Sequence, residues 1–173
     1  MPAAASAPII VAAAFRSADF GWLDGLRRAH FPPERNQIGA HLTLFHHLPP
    51  SALDELDTRL KAATRQARRP AAAIVGAMSL GRGVALRVQS DALVRLRADL
   101  ADAFAGFLTP QDQAGWRPHV TIQNKVKAAE ARALHAALSG DPTIARPLVV
   151  AGIATHYYRD GPWEPIARYA FAG

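Results

Sequence analysis

The chain has 173 residues, half of them hydrophobic and a fifth charged; that length suits one ordinary domain, and the composition excludes a disordered or collagen-like chain. Twenty Lys and Arg against 14 Asp and Glu leave a formal charge of +6, which favours polyanions such as RNA or nucleotides over acidic partners, although an Arg-rich, Ala-rich composition alone accounts for such an excess. The absence of cysteine excludes disulfides, thiolate nucleophiles, iron–sulfur clusters and cysteine zinc sites, and is compatible with a cytoplasmic protein.

The first 15 residues are apolar and Ala-rich but lack the basic start of a secretion signal, and no apolar run is long enough for a membrane helix. Residues 8–15 read instead as a buried strand, followed by Ser17 as the cap of a helix that turns Phe20, Leu23 and Leu26 inward. After Pro32-Pro33, residues 40–48 predict a second strand. Ser51-x-x-Asp54 resembles a capping box opening a helix with Leu53, Leu56, Leu60 and Ala63 inward. Pro70 ends that helix, and residues 71–80 form a third strand.

The same pattern then recurs. Residues 84–88 predict a strand, Asp91 caps a helix facing inward with Leu93, Leu96, Leu100, Phe104 and Phe107, and residues 118–126 predict a strand. A fourth helix over about 128–138 places Ala131, Leu134 and Leu138 inward and ends at Gly140-Asp141-Pro142. Strands near 148–158 and over 163–171 follow, separated by Asp160-Gly161-Pro162. The expected fold is therefore α+β, with two duplicated β-α-β-α-β lobes, approximately 1–81 and 82–173. No Pro/Gly/Ser-rich linker separates them, so the lobes belong to a single domain over 1–173 and are not independent.

The middle strand of each half carries His-x-Thr: His41-Leu42-Thr43-Leu44 and His119-Val120-Thr121-Ile122. Side chains alternate across a strand, so each offers an imidazole and a hydroxyl on one face and two apolar side chains on the other. If the lobes face each other, the four polar groups converge. Displacement at phosphorus needs one group to take a proton from the attacking oxygen and another to give one to the departing oxygen. Two histidines near neutrality serve both ends, and the threonine hydroxyls serve the non-bridging oxygens, with no metal or cofactor required.

Around the motifs, Trp116 and Arg117 offer stacking and charge to a nucleotide, or a Trp packed beneath the strand; Phe45 has the same two readings. His46 and His47 face opposite ways on a regular strand, so one of them touches substrate or both are strand-end surface residues. Tyr157, Tyr158 and Trp163 line a cleft wall or fill the core. With no carboxylate in either motif, a metal held by His41, His46, His47 and His119 is disfavoured.

The motifs His41-Leu42-Thr43-Leu44 and Pro118-His119-Val120-Thr121-Ile122 resemble the signature of the two-histidine phosphoesterase superfamily, which includes bacterial 2'-5' RNA ligase-like proteins. The resemblance implies a bilobal α+β fold with pseudo-twofold symmetry, a central cleft, no metal, and action on 2',3'-cyclic or 2'-5' phosphodiester linkages. By position it makes His41, Thr43, His119 and Thr121 the catalytic set of a monomer acting on RNA ends or small nucleotide phosphodiesters. One departure stands out: many RNA-processing members place an arginine shortly after the second motif, whereas this chain reads Gln123-Asn124-Lys125. Lys125 supplies a point cation without the bidentate fork of arginine. The alternative is a module that keeps the fold and binds RNA or nucleotides without turning them over, although binding alone does not need two proton carriers.

Overall fold

The structure, a computed structural model, describes residues 7–173; residues 1–6, the start of the apolar N-terminal stretch, lie outside the described residues. Seven strands form: β1 (Ile9–Phe15), β2 (Leu42–Leu48), β3 (Ala71–Ser79), β4 (Val84–Gln89), β5 (His119–Gln123), β6 (Arg146–Tyr157) and β7 (Glu164–Ala170). They are joined by helices α1 (Ser17–His30), α2 (Leu53–Arg65), α3 (Asp91–Ala103), the short α4 (Pro110–Gln113) and α5 (Ala128–Ser139). The element order is the predicted one, with α4 as an addition that a four-residue helix beginning at Pro110 did not announce.

Every strand pairing is antiparallel, and the strands run in the order β2-β1-β6-β3-β4-β5, with β7 also on β6. β6, with 12 residues, holds the sheet together. Arg146 to Val149 pair with β3, whereas Val150 to Tyr157 pair with β1. The third strand of each sequence half thus sits with the first two strands of the other half, and a cut at 81/82 does not divide the sheet. β1, between β2 and β6, is buried on both faces, which its run of Ile, Val and small Ala residues permits. One continuous hydrophobic core runs from Ile9 to Phe171. α1 packs on β5, α5 on β3 and α2 on β7.

Several local expectations are corrected. The cap of α3 is Ser90, whose hydroxyl accepts from the Leu93 amide, rather than Asp91. Neither Ser17 nor the Ser51–Asp54 pair caps a helix: α1 starts at Ser17 with Arg16 as its cap, and a 3-10 turn over Pro50–Ala52 leads directly into α2. Phe20 and Phe107 are exposed. The inward faces of α1 and α3 instead include the polar residues Asp19, Arg27 and Arg97. Among the described residues no helix is long and apolar enough to cross a membrane.

Candidate active site

The two His-x-Thr strands, β2 and β5, are the two ends of the strand path, yet they lie against each other, so the sheet curls until its ends meet. Leu42, Leu44, Val120 and Ile122 are fully buried, and this fixes the opposite face of each strand as the open one. His41, Thr43, His119 and Thr121 lie on that face, each partly exposed. The imidazoles are held alike. His41 Nδ1 lies 2.9 Å from the Gly39 carbonyl and His119 Nδ1 lies 2.7 Å from the Arg117 carbonyl, two residues upstream in each case. A carbonyl only accepts, so Nδ1 carries the hydrogen in both rings and the neutral imidazole presents an unprotonated Nε2.

The surroundings of His41 favour its neutral form. The Trp163 ring stands 4.5 Å from the imidazole, centroid to centroid. Burial lowers the His41 pKa to about 4, opposed by the hydrogen bond to Gly39 and assisted by positive charge on Arg27, His119 and His46. His41 is therefore uncharged at neutral pH.

β2 is not a regular strand, and this decides which of its remaining side chains face the site. Ala12 pairs with Thr43 and Val11 with Phe45, one step on β1 against two on β2; a second slip lies between Phe45 and Leu48. The first bulge puts Leu44 and Phe45 both into the core and returns His46 to the open side. Of the two readings of Phe45, the substrate contact is corrected and the packed ring stands: it is fully buried, with the Arg97 guanidinium 4.4 Å above it. At the second slip His46 and His47 are both exposed, and their amides both point at Asp112 of α4. The buried Asp112 carboxylate accepts from both amides and from His46 Nδ1 at 3.0 Å. Burial pushes that carboxyl up, but these hydrogen bonds outweigh it and hold it below its ordinary value.

An edge strand leaves backbone groups unpaired, and here side chains of helical and loop segments satisfy them. Arg97 Nε donates to the Leu44 carbonyl and its Nη2 to the Asp112 carbonyl, while Trp116 Nε1 donates to the Thr43 carbonyl. On the other strand, Arg27 Nη1 donates to the Thr121 carbonyl. The first helix thus braces the second motif and the third helix the first. The sequence carries a signal for this pair: Leu23-x-x-Leu26-Arg27 and Leu93-x-x-Leu96-Arg97 repeat the same five-residue pattern.

A family model described as the 2'-5' RNA ligase superfamily matches residues 15–162. The chain belongs to this superfamily. No curated protein matches the chain, but solved structures do. E. coli LigT in complex with NADP+ is similar with a TM-score of 0.62 and 19% identity, and in complex with 3'-AMP with 0.61 and 16%, each over 97% of this chain and 99% of that one. TT0787 of Thermus thermophilus matches with a TM-score of 0.61 and 14% identity over 96% of this chain and 98% of that one. At such identities the likeness speaks for the fold, which is that of the two-histidine phosphoesterases.

In this superfamily member the remaining candidates divide. Trp116 and Arg117 line a groove next to His119. Lys125, at φ 62°, is exposed and lines another groove with Arg27, Arg35, Glu34 and Asp160. Gln123 is buried rather than presented to the cleft. The close approach that buries it requires Gly83, where a Cβ would stand 2.0 Å from the Gln123 carbonyl oxygen. Trp163 reaches the site through His41, whereas Tyr158 lies by Lys125. Among the described residues no group of three His, Asp or Glu side chains is placed to hold a metal ion.

Proposed function

We propose that the protein is a metal-independent phosphodiesterase acting on 2',3'-cyclic phosphate or 2'-5' linkages of RNA or nucleotides. The observation that carries this reading is the matched pair of imidazoles on two adjoining edge strands, each with Nδ1–H tied to a carbonyl two residues upstream. His41, uncharged at neutral pH, is the base: its Nε2 takes the proton from the attacking water. His119 is the acid: its reacting form carries a second hydrogen, on Nε2, and gives it to the departing ribose oxygen. In the reverse direction the roles exchange. Thr43 and Thr121 donate hydrogen bonds to the non-bridging oxygens as negative charge builds on them. E. coli LigT has been crystallised with 3'-AMP, ATP, NADP+ and phosphate, which supports nucleotides as the ligand class.

The test is turnover of nucleoside 2',3'-cyclic phosphates and 2'-5' dinucleotides by purified protein with and without a chelator. Activity that survives the chelator and is lost in both His41→Ala and His119→Ala is the expected result. Wild-type rates in either variant, or stoichiometric binding without turnover, would overturn the reading; the latter would leave a binding module.

A further inference from the structure

The residue beside His119 on the open face is an arginine that sequence separation concealed. In the ladder of β4 and β5, Arg87 is the direct partner of His119, and Ala85 of Thr121. Directly opposed residues project to the same face with Cβ atoms about 4.5–5.5 Å apart. Leu86 and Val120, the pair between them, are fully buried, so Arg87 and His119 share the open face. On its other side Arg87 faces Gly76 of β3, and a Cβ at Gly76 would meet nothing within 4 Å. Arg87 is exposed and makes no ion pair among the described residues.

Arg87 leads into a groove of about 390 Å³ lined by Met78, Val88, Trp116, Arg117 and Pro118. Two guanidiniums and an indole meet there, with no carboxylate in the lining. The Trp116 ring is already fixed by its bond to the Thr43 carbonyl, so a base stacking on it would meet a platform that needs no ordering. The ladder beside the other motif offers no such partner: the register of Ala13 with Leu42 puts Ala14 next to His41 on the neighbouring strand.

We propose that Arg87, Arg117 and Trp116 form a subsite for the nucleotide adjoining the reacting phosphodiester. The guanidiniums take its phosphate in charge-assisted hydrogen bonds and the indole takes its base. This deepens the phosphodiesterase reading and rests on it: the substrate is an oligonucleotide end, not a lone nucleotide.

The experiment compares kcat/KM for cytidine 2',3'-cyclic phosphate and for an RNA tetranucleotide ending in a 2',3'-cyclic phosphate, in wild type, Arg87→Gln and Gly76→Val. Wild type prefers the RNA, and the preference falls about tenfold in Arg87→Gln, mostly through KM, as expected for one lost charge-assisted contact. Gly76→Val places a branched side chain next to Arg87 without touching the histidines and lowers the preference as well. No RNA preference in wild type, or an unchanged preference in Arg87→Gln, overturns the subsite. Should wild type turn over neither substrate, the phosphodiesterase reading falls, and anisotropy with the same RNA ending in a 3'-phosphate decides the subsite alone. About tenfold weaker binding by Arg87→Gln, with a shallower dependence on salt, then supports it, and equal affinity overturns it.

Discussion

Beside His41 the open face carries alanine from β1, and the Trp163 ring stands over the imidazole; beside His119 it carries Arg87 and opens into a groove with a second guanidinium. The groove on the His41 side, about 450 Å³, is lined by Ala12, Ala14, Phe20, His156, Trp163 and one guanidinium, that of Arg168, and is mainly apolar. Both motifs carry His and Thr at the same spacing, and both rings tie Nδ1–H to a carbonyl two residues upstream, so the two sides of the site differ in their neighbours.

The largest losses are expected at the rings themselves. His41→Ala and His119→Ala are each expected to lower kcat by several hundred-fold or more, and the double variant to lose little beyond either single one, because proton removal and proton donation serve one step. Steady-state kinetics on a cyclic nucleotide checks this. Next comes Arg97→Met, which leaves the Leu44 and Asp112 carbonyls without their donor in a buried place. It is expected to destabilise the fold by about 3 kcal/mol in urea unfolding. Arg27→Met, which unbraces β5 by one carbonyl, is expected to have a smaller effect.

Thr43→Val and Thr121→Val are expected to lower kcat by roughly ten- to a hundredfold while the melting temperature barely moves, since each hydroxyl is asked to act on the substrate rather than on the fold. The smallest effect is on the pH dependence. The His41 pKa of about 4 predicts that kcat/KM holds down to about that pH and then falls as the base is protonated. Trp163→Ala opens His41 to water and moves this acid limb upward, toward the ordinary histidine value, while Arg27, His119 and His46 still face the ring. Between the two values the unfolded chain binds the proton and the folded one does not, so wild-type stability falls as pH is lowered through that window. A pH–rate profile and unfolding at two pH values read both effects.

The strands, the four longer helices and the two motifs were legible in the sequence because all of these are written in local periodicity. Partnership between distant segments was not. Nothing local marks the slip at Leu44 that buries Phe45 and turns His46 outward, since a bulge is a property of two strands together. Asp112 lies 66 residues from His46, in a four-residue helix with no periodicity of its own. The exchange of β3 and β6 between the sequence halves, and the pairing of Arg87 with His119, likewise follow only from the register. The arginine pair was different. Leu-x-x-Leu-Arg stands twice in the sequence, but the burial of its arginines is intelligible only once the edge carbonyls they serve are known.

β6 also sets an order of events for a chain emerging from a ribosome. Until residues 146–157 are made, β1 and β3 each keep an open edge, and neither motif strand belongs to a finished sheet. Both histidines are synthesised well before the segment that completes their framework. A nascent chain stalled before residue 146 would therefore hold both chemical groups and no site, and a truncation there removes the joint rather than one lobe.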